Sequence, residues 1–349
     1  MAIVRRMFRF TIIAALILAA GGFVLYQARY HLFPVAVYSR LDMLRQGTLR
    51  SKRVAYVMPD RTVFLHSDGL KIAADVFLPR QGTGAPPAIL VLHGSSRWGR
   101  QIAIIRLLSR KLAERGYLVA AIDFRGFGDS DDPKPVDSPQ SWKMEDDIRA
   151  GIDYLLAQGA DPGRVFIVGH SMGAGYGIYG GLHDERVKKI VAFGPPRRQL
   201  ERLQREEKAF AVRFTKMHRL KHELDPKLVT AIETPYFPEN TFPSFSAVGH
   251  KPLLLIDGAL ESGADRSFLK ACYARMTGPK EYVTLPGTEH YLGIVGFEWF
   301  EKVPVVSHLM IYDQAIVDRA VDVVDGFLAG KAAGGETVEE AKVTAIPGR

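Results

Sequence analysis

Val165-Phe166-Ile167-Val168-Gly169-His170-Ser171-Met172-Gly173 decides how this chain is read. An apolar run of β-branched and aromatic residues makes a strand. The glycines on either side of Ser171 let the backbone turn from strand to helix in a bend that is crowded for side chains. A serine held on such a bend presents its hydroxyl above the end of a sheet. In that layout a carboxylate and then a histidine follow it in the chain, and a loop of backbone N–H donors precedes it.

Working outward, apolar runs at 88–92, 118–122, 165–168, 187–193, 253–256 and 282–285 alternate with helical spacing. Runs without alternation suit strands buried on both faces, which need helical crossovers. Residues 102–115 keep helical spacing and stop at Gly116, and 144–157 do the same before Gly159. Residues 313–328 place Ile316, Val317, Ala320, Val321, Val324 and Leu328 on one face. Ahead of these, 63–66 and 71–78 flank Ser67-Asp68-Gly69 as an antiparallel hairpin. The expected fold is α/β: a mostly parallel central sheet with an N-terminal antiparallel hairpin and helices on both faces.

The alternation breaks between about 195 and 250. This insertion is dense in charge from Arg197 to Lys227, then rich in proline and aromatics over 235–245. Insertions this long inside a compact domain are usually functional. A helical cap followed by an irregular flap is expected. Tyr236, Phe237, Phe242 and Phe245 would form an apolar wall for a ligand. The basic residues are either a solvated helix surface or contacts for anionic groups.

Totals bound the rest. A chain of 349 residues, 47% hydrophobic, can bury one large α/β core. The formal charge of +8 comes without zinc-finger spacing or an RNA-binding aromatic signature, so a membrane surface or anionic ligand is expected in place of nucleic acid. Cys272 is the only cysteine, which excludes an internal disulfide and fits a core position. Arg5, Arg6 and Arg9 precede 17 uncharged apolar residues, 10–26. These read as a signal anchor, or as a signal peptide if cleaved near Ala19-Ala20-Gly21. The arginine asymmetry puts the N-terminus in the cytoplasm and the folded part outside it, secreted if cleavage occurs. The expected organisation is 1–28 anchor or signal peptide, 29–59 connector with a short helix near 39–45, 60–329 folded domain, and 330–349 flexible tail.

Four separated motifs carry a resemblance. They are Leu92-His93-Gly94-Ser95, Asp123-Phe124-Arg125-Gly126-Phe127-Gly128-Asp129-Ser130, the pentapeptide around Ser171, and Leu285-Pro286-Gly287-Thr288-Glu289-His290. Over roughly 60–328 the chain resembles the α/β-hydrolase superfamily, most closely membrane-anchored serine hydrolases and esterases with a helical cap. The resemblance implies Ser171 as nucleophile and His290 as its base, with the backbone N–H groups of Ser95 and Met172 as the oxyanion hole. For the acid, the family shows glycine and, three residues on, aspartate; here Gly258 is followed by Glu261. Asp265 is the alternative, equally readable as an N-cap of a helix over 266–276.

The implied activity is acyl-enzyme hydrolysis of a carboxylic ester in a small-molecule ester or acyl substrate. A peptidase or amidase of the same fold, or a catalytically silent binding module, stays open. Gly175-x-Gly177-x-x-Gly180 lies within the helix after Ser171, so these glycines are expected to pack on the sheet and not to bind a dinucleotide. His93 is expected to shape its loop, and Asp123, Arg125 and Asp129 to form a turn network. His308 lies outside any motif. No metal or cofactor is expected, since zinc-protease and phosphate-loop signatures are missing.

Overall fold

Along each apolar strand, neighbouring side chains enter opposite cores. The computed structural model describes residues 52–331, apart from 83, 197–199, 219, 221–222, 249–250 and 262. Its strands are β1 (Lys52–Tyr56), β2 (Arg61–Ser67), β3 (Leu70–Phe77), β4 (Ala88–Leu92), β5 (Leu118–Ile122), β6 (Val165–His170), β7 (Val187–Phe193), β8 (Leu253–Gly258), β9 (Lys280–Leu285), β10 (Ile294–Gly296) and β11 (Leu309–Asp313). Its helices are α1 (Ala103–Glu114), α2 (Met144–Ala157), α3 (Met172–Leu182), α4 (Leu200–Arg205), α5 (Glu207–Met217), α6 (Pro226–Glu233), α7 (Pro238–Val248), α8 (Gly263–Arg275), α9 (Pro304–Ser307) and α10 (Gln314–Leu328).

Eight strands form the main sheet in the order β2-β3-β5-β4-β6-β7-β8-β9. The hairpin β2–β3 is antiparallel and joins β5 antiparallel, and every later pairing is parallel. In β4, Leu90 and Leu92 join the core shared with α2 and α3, while Ile89 and Val91 join the core shared with α1 and α10. The sheet is therefore covered on both faces, the expected α/β-hydrolase architecture. Its parallel strands end on one edge, where the loops carrying the sequence motifs gather.

The cap, α4 to α7, enters between β7 and β8. The irregular flap expected over 235–245 is instead largely helical: Pro238 occupies the first position of α7, where its missing N–H costs nothing, and the helix continues through Pro243. The aromatic residues expected to wall a ligand site pack inward. Tyr236, Phe237, Phe242 and Phe245 are all buried. Tyr236 packs on Tyr176 of α3 at 4.3 Å between ring centroids and donates to Glu145 Oε2 at 3.0 Å. These rings fix the cap onto α2 and α3.

A second sheet, β1-β11-β10, is antiparallel and went unread in the sequence. Its β1 falls in the stretch expected to be connector. Short strands that turn apolar residues outward give no inward periodicity to detect. The expected anchor at 10–26, the helix near 39–45 and the tail from 332 lie outside the described residues. Among the described residues no helix is long and apolar enough to cross a membrane.

Candidate active site

Ser171 sits between β6 and α3 with φ 55°, left-handed backbone that non-glycine residues rarely adopt. Its N–H donates to Phe193 O at 2.8 Å, and its carbonyl accepts from Ala174 at 3.0 Å, starting the helix. The flanking glycines are required by packing. A Cβ on Gly169 would stand 2.3 Å from Gly173 O, and one on Gly173 would stand 2.5 Å from His93 O. The loop after β4 thus lies directly on the bend, and a Cβ on Gly94 would come within 3.0 Å of Ser171 Cβ. Ser95 follows Gly94 and is exposed. Met172 opens α3, where a first-turn N–H has no intrahelical acceptor. The two expected oxyanion donors therefore sit on the two segments that meet at Ser171.

The histidine loop is pinned to the acid loop. Ala259 N–H donates to Leu285 O at 2.9 Å and Leu260 N–H to Thr288 O at 2.8 Å. Glu261 Oε1 accepts from Gly258 N–H at 2.9 Å, and Oε2 faces His290 Nδ1 at 3.8 Å. The Glu261 side chain is 4% exposed and that of His290 29%. At 3.8 Å the contact is longer than a hydrogen bond and becomes an ion pair only when the imidazole is protonated. Asp265 lies inside the first turn of α8, because that helix starts at Gly263 and not at 266; an N-cap position is thereby excluded, and its side chain lies outside the described residues. Glu289 holds the turn after the loop, accepting from Tyr291 N–H at 2.9 Å and Gly293 N–H at 3.3 Å.

The sequence alone gives His170 no partner. Its Nε2 faces His290 O at 2.9 Å, so Nε2 must carry the proton, and the two rings lie 4.7 Å apart. The residue before Ser171 therefore ties the bend to the backbone of His290. No motif reports a contact across 120 residues.

The supporting residues behave as expected. His93 Nε2 accepts from Phe124 N–H at 3.2 Å while Nδ1 donates to Gly94 O at 2.7 Å. Burial pushes its imidazole down to about 4, so it stays neutral and braces its loop. Asp123 accepts from Asp129 N–H at 2.8 Å and pairs with buried Arg100, which also reaches Asp75 at 2.9 Å and Asp129 at 3.1 Å. Arg100 lies in no sequence motif. Arg125 pairs with Asp147 at 2.8 Å and donates to Ser67 Oγ at 3.1 Å.

Gly177 and Gly180 lie against Ile167 and Ile148, where a Cβ would approach to 2.9 and 2.6 Å, so helix packing accounts for them. His308 is engaged away from this site, with Nδ1 2.8 Å from Pro304 O and its ring beside Tyr56. Cys272 is half-buried, and burial followed by the nearby Glu239 charge pushes its thiol up to about 11, which suits an unreactive position. Among the described residues no three His, Cys, Asp or Glu side chains are grouped to hold a metal.

Comparison with known proteins bears on the fold. The family model described as serine aminopeptidase, S33, matches residues 85–234. A probable isoprenylcysteine alpha-carbonyl methylesterase of Oryza sativa subsp. japonica is 34% identical over 112 residues, 29% of this chain and 22% of the relative. An uncharacterized protein of Mycobacterium tuberculosis (strain CDC 1551 / Oshkosh) is 24% identical over 231 residues, 64% of this chain and 69% of that protein. The chain thus spans less than a quarter of the plant methylesterase it matches. Among solved structures, Est1E from Butyrivibrio proteoclasticus, with ferulic acid bound, has a TM-score of 0.52 at 17% identity, covering 77% of this chain and 98% of that one. Sheet order and these matches show that the chain has the α/β-hydrolase fold. To that fold the chain adds a helical cap and a three-stranded sheet.

Proposed function

We propose that this protein is a serine hydrolase cleaving a carboxylic ester through an acyl-enzyme. The carrying observation is convergence: the strained Ser171 bend, the His290 loop and Glu261 meet at one edge of the sheet, joined through His170. Ser171 Oγ attacks the ester carbonyl while His290 takes its proton. The N–H groups of Ser95 and Met172 receive the oxyanion, and His290 returns the proton to the leaving alcohol. Glu261 orients the imidazole and stabilises its cation. Water then releases the acid by the same route reversed.

A fluorophosphonate probe tests this directly. The wild-type chain should label and turn over p-nitrophenyl esters, and Ser171→Ala should do neither, losing about 10⁶-fold in kcat. A wild type as unreactive as Ser171→Ala would identify a silent binding module. The serine aminopeptidase family match favours a second reading, amide cleavage. Aminoacyl anilides turned over in preference to esters would establish it. Residues 10–26 serve in this reading as a membrane tether, with the hydrolase outside the cytoplasm.

A further inference from the structure

Eight large hydrophobic side chains are exposed among the described residues, and six of them come from two segments about 240 residues apart in the chain: Val54, Tyr56 and Met58, then Phe300, Val303 and Val305. The fold brings these segments together. β1 pairs with β11, Val57 N–H donates to His308 O at 3.2 Å, and the Tyr56 ring lies 5.9 Å from that of His308.

The register explains the exposure. Ala55 faces buried Met310 on the inner side, whereas Val54 pairs with Ile311 and Tyr56 with Leu309 on the outer side. β1 is also a sheet edge, and an apolar, uncovered edge strand is a liability unless something covers it. Residues 301–305, Glu-Lys-Val-Pro-Val, are exposed throughout, with Val54 at 72% and Val305 at 68%. Arg97 and Lys302 supply exposed cations at the rim, with Glu301 the acid among them, 4.0 Å from Arg97.

We propose that this face, β1 with the loop 298–307, rests in the surface of a lipid bilayer. The covering partner is identified by the chain itself. The sequence from Lys52 back to the end of the apolar run at Tyr26 is only 25 residues, so a chain tethered by that run would hold β1 close to lipid. Apolar side chains ringed by arginine and lysine match the interface between acyl chains and anionic headgroups. β10, in the same small sheet, starts four residues after His290, so the docking sheet grows straight out of the histidine loop.

This proposal rests on residues 10–26 being a tether, and the two fail differently. The full chain, with Cys272→Ala, is incorporated into phosphatidylcholine–phosphatidylglycerol vesicles, carrying a nitroxide at Val305→Cys or, as control, at exposed Phe64→Cys on β2. Both are surface positions, so both variants should fold. The ratio of oxygen to nickel-chelate accessibility is expected to be several-fold higher at 305 than at 64. Equal aqueous accessibility in chains that float with the vesicles overturns the docking face and leaves the tether standing. Chains that do not float overturn both. Dipolar broadening at 305 that disappears on dilution with unlabelled chain would show a second copy as the occupant and also overturn the proposal.

Discussion

Ser171 is held in a strained conformation by neighbours on three strands, so its backbone is fixed before any substrate arrives. The acid is tested at the same scale. Glu261→Gln keeps the side chain's shape and its bond from Gly258 N–H, but removes the charge that stabilises the imidazolium. The expected loss in kcat is on the order of 10⁴-fold with KM little changed. Asp265→Asn should leave turnover of p-nitrophenyl esters at the wild-type level, and the reverse ranking would transfer the role. The loops proposed to carry Ser171, His290 and Glu261 were legible in the sequence because their glycines and flanking strands leave a local pattern. His170 and Arg100 were not, because their partners lie 120 and 23 residues away and depend on how the sheet is ordered.

The turn after β5 is an element held by buried ions more than by its own sequence. Arg125 reaches Asp147 of α2 through its backbone N–H and its guanidinium, and both side chains are almost fully buried. Arg125→Met leaves Asp147 as an uncompensated buried charge and should cost about 3–5 kcal/mol in urea unfolding. Adding Asp147→Leu should restore part of that loss, because the pair then goes together; a double variant less stable than the single would show that the arginine acts by packing alone. At this scale the parallel strands were readable, since runs such as Val165 to Val168 are apolar at every position and buried on both faces. The β1-β11-β10 sheet was not. β10 has three residues, and β1 carries its apolar side chains outward, against the pattern that marks a strand. α7 was hidden by Pro243, whose lost hydrogen bond is outweighed by burial of Phe242 and Phe245.

Stability of the whole molecule is coupled to pH through the joint between cap and sheet. Glu233 ends α6 and accepts from Tyr176 of α3, buried where cap and hydrolase core meet. Burial pushes its carboxyl up to about 7 from 4.5, the Tyr176 hydroxyl offsetting only part of the shift. Below about 4.5 the carboxyl is protonated in both folded and unfolded chains, and the group adds no pH dependence. Between 4.5 and about 7 the unfolded chain releases this proton and the folded chain keeps it, so stability falls as pH rises through that window. Glu233→Gln removes the proton exchange while its amide oxygen still accepts from Tyr176. The difference in unfolding free energy, variant minus wild type, should therefore grow between pH 4.5 and 7.5 by up to about 3 kcal/mol, the equivalent of the shift at 1.36 kcal/mol per unit. Urea titrations followed by tryptophan fluorescence read this difference, with Trp142, which packs on Phe214 of the cap at 5.5 Å, as a reporter where the two layers meet. Taking the difference cancels the contributions of His93 and the other titrating groups, whose local surroundings the substitution leaves in place. A variant whose advantage is constant across that range would mean that Glu233 is already ionised in the folded protein, with its charge met by a partner other than Tyr176.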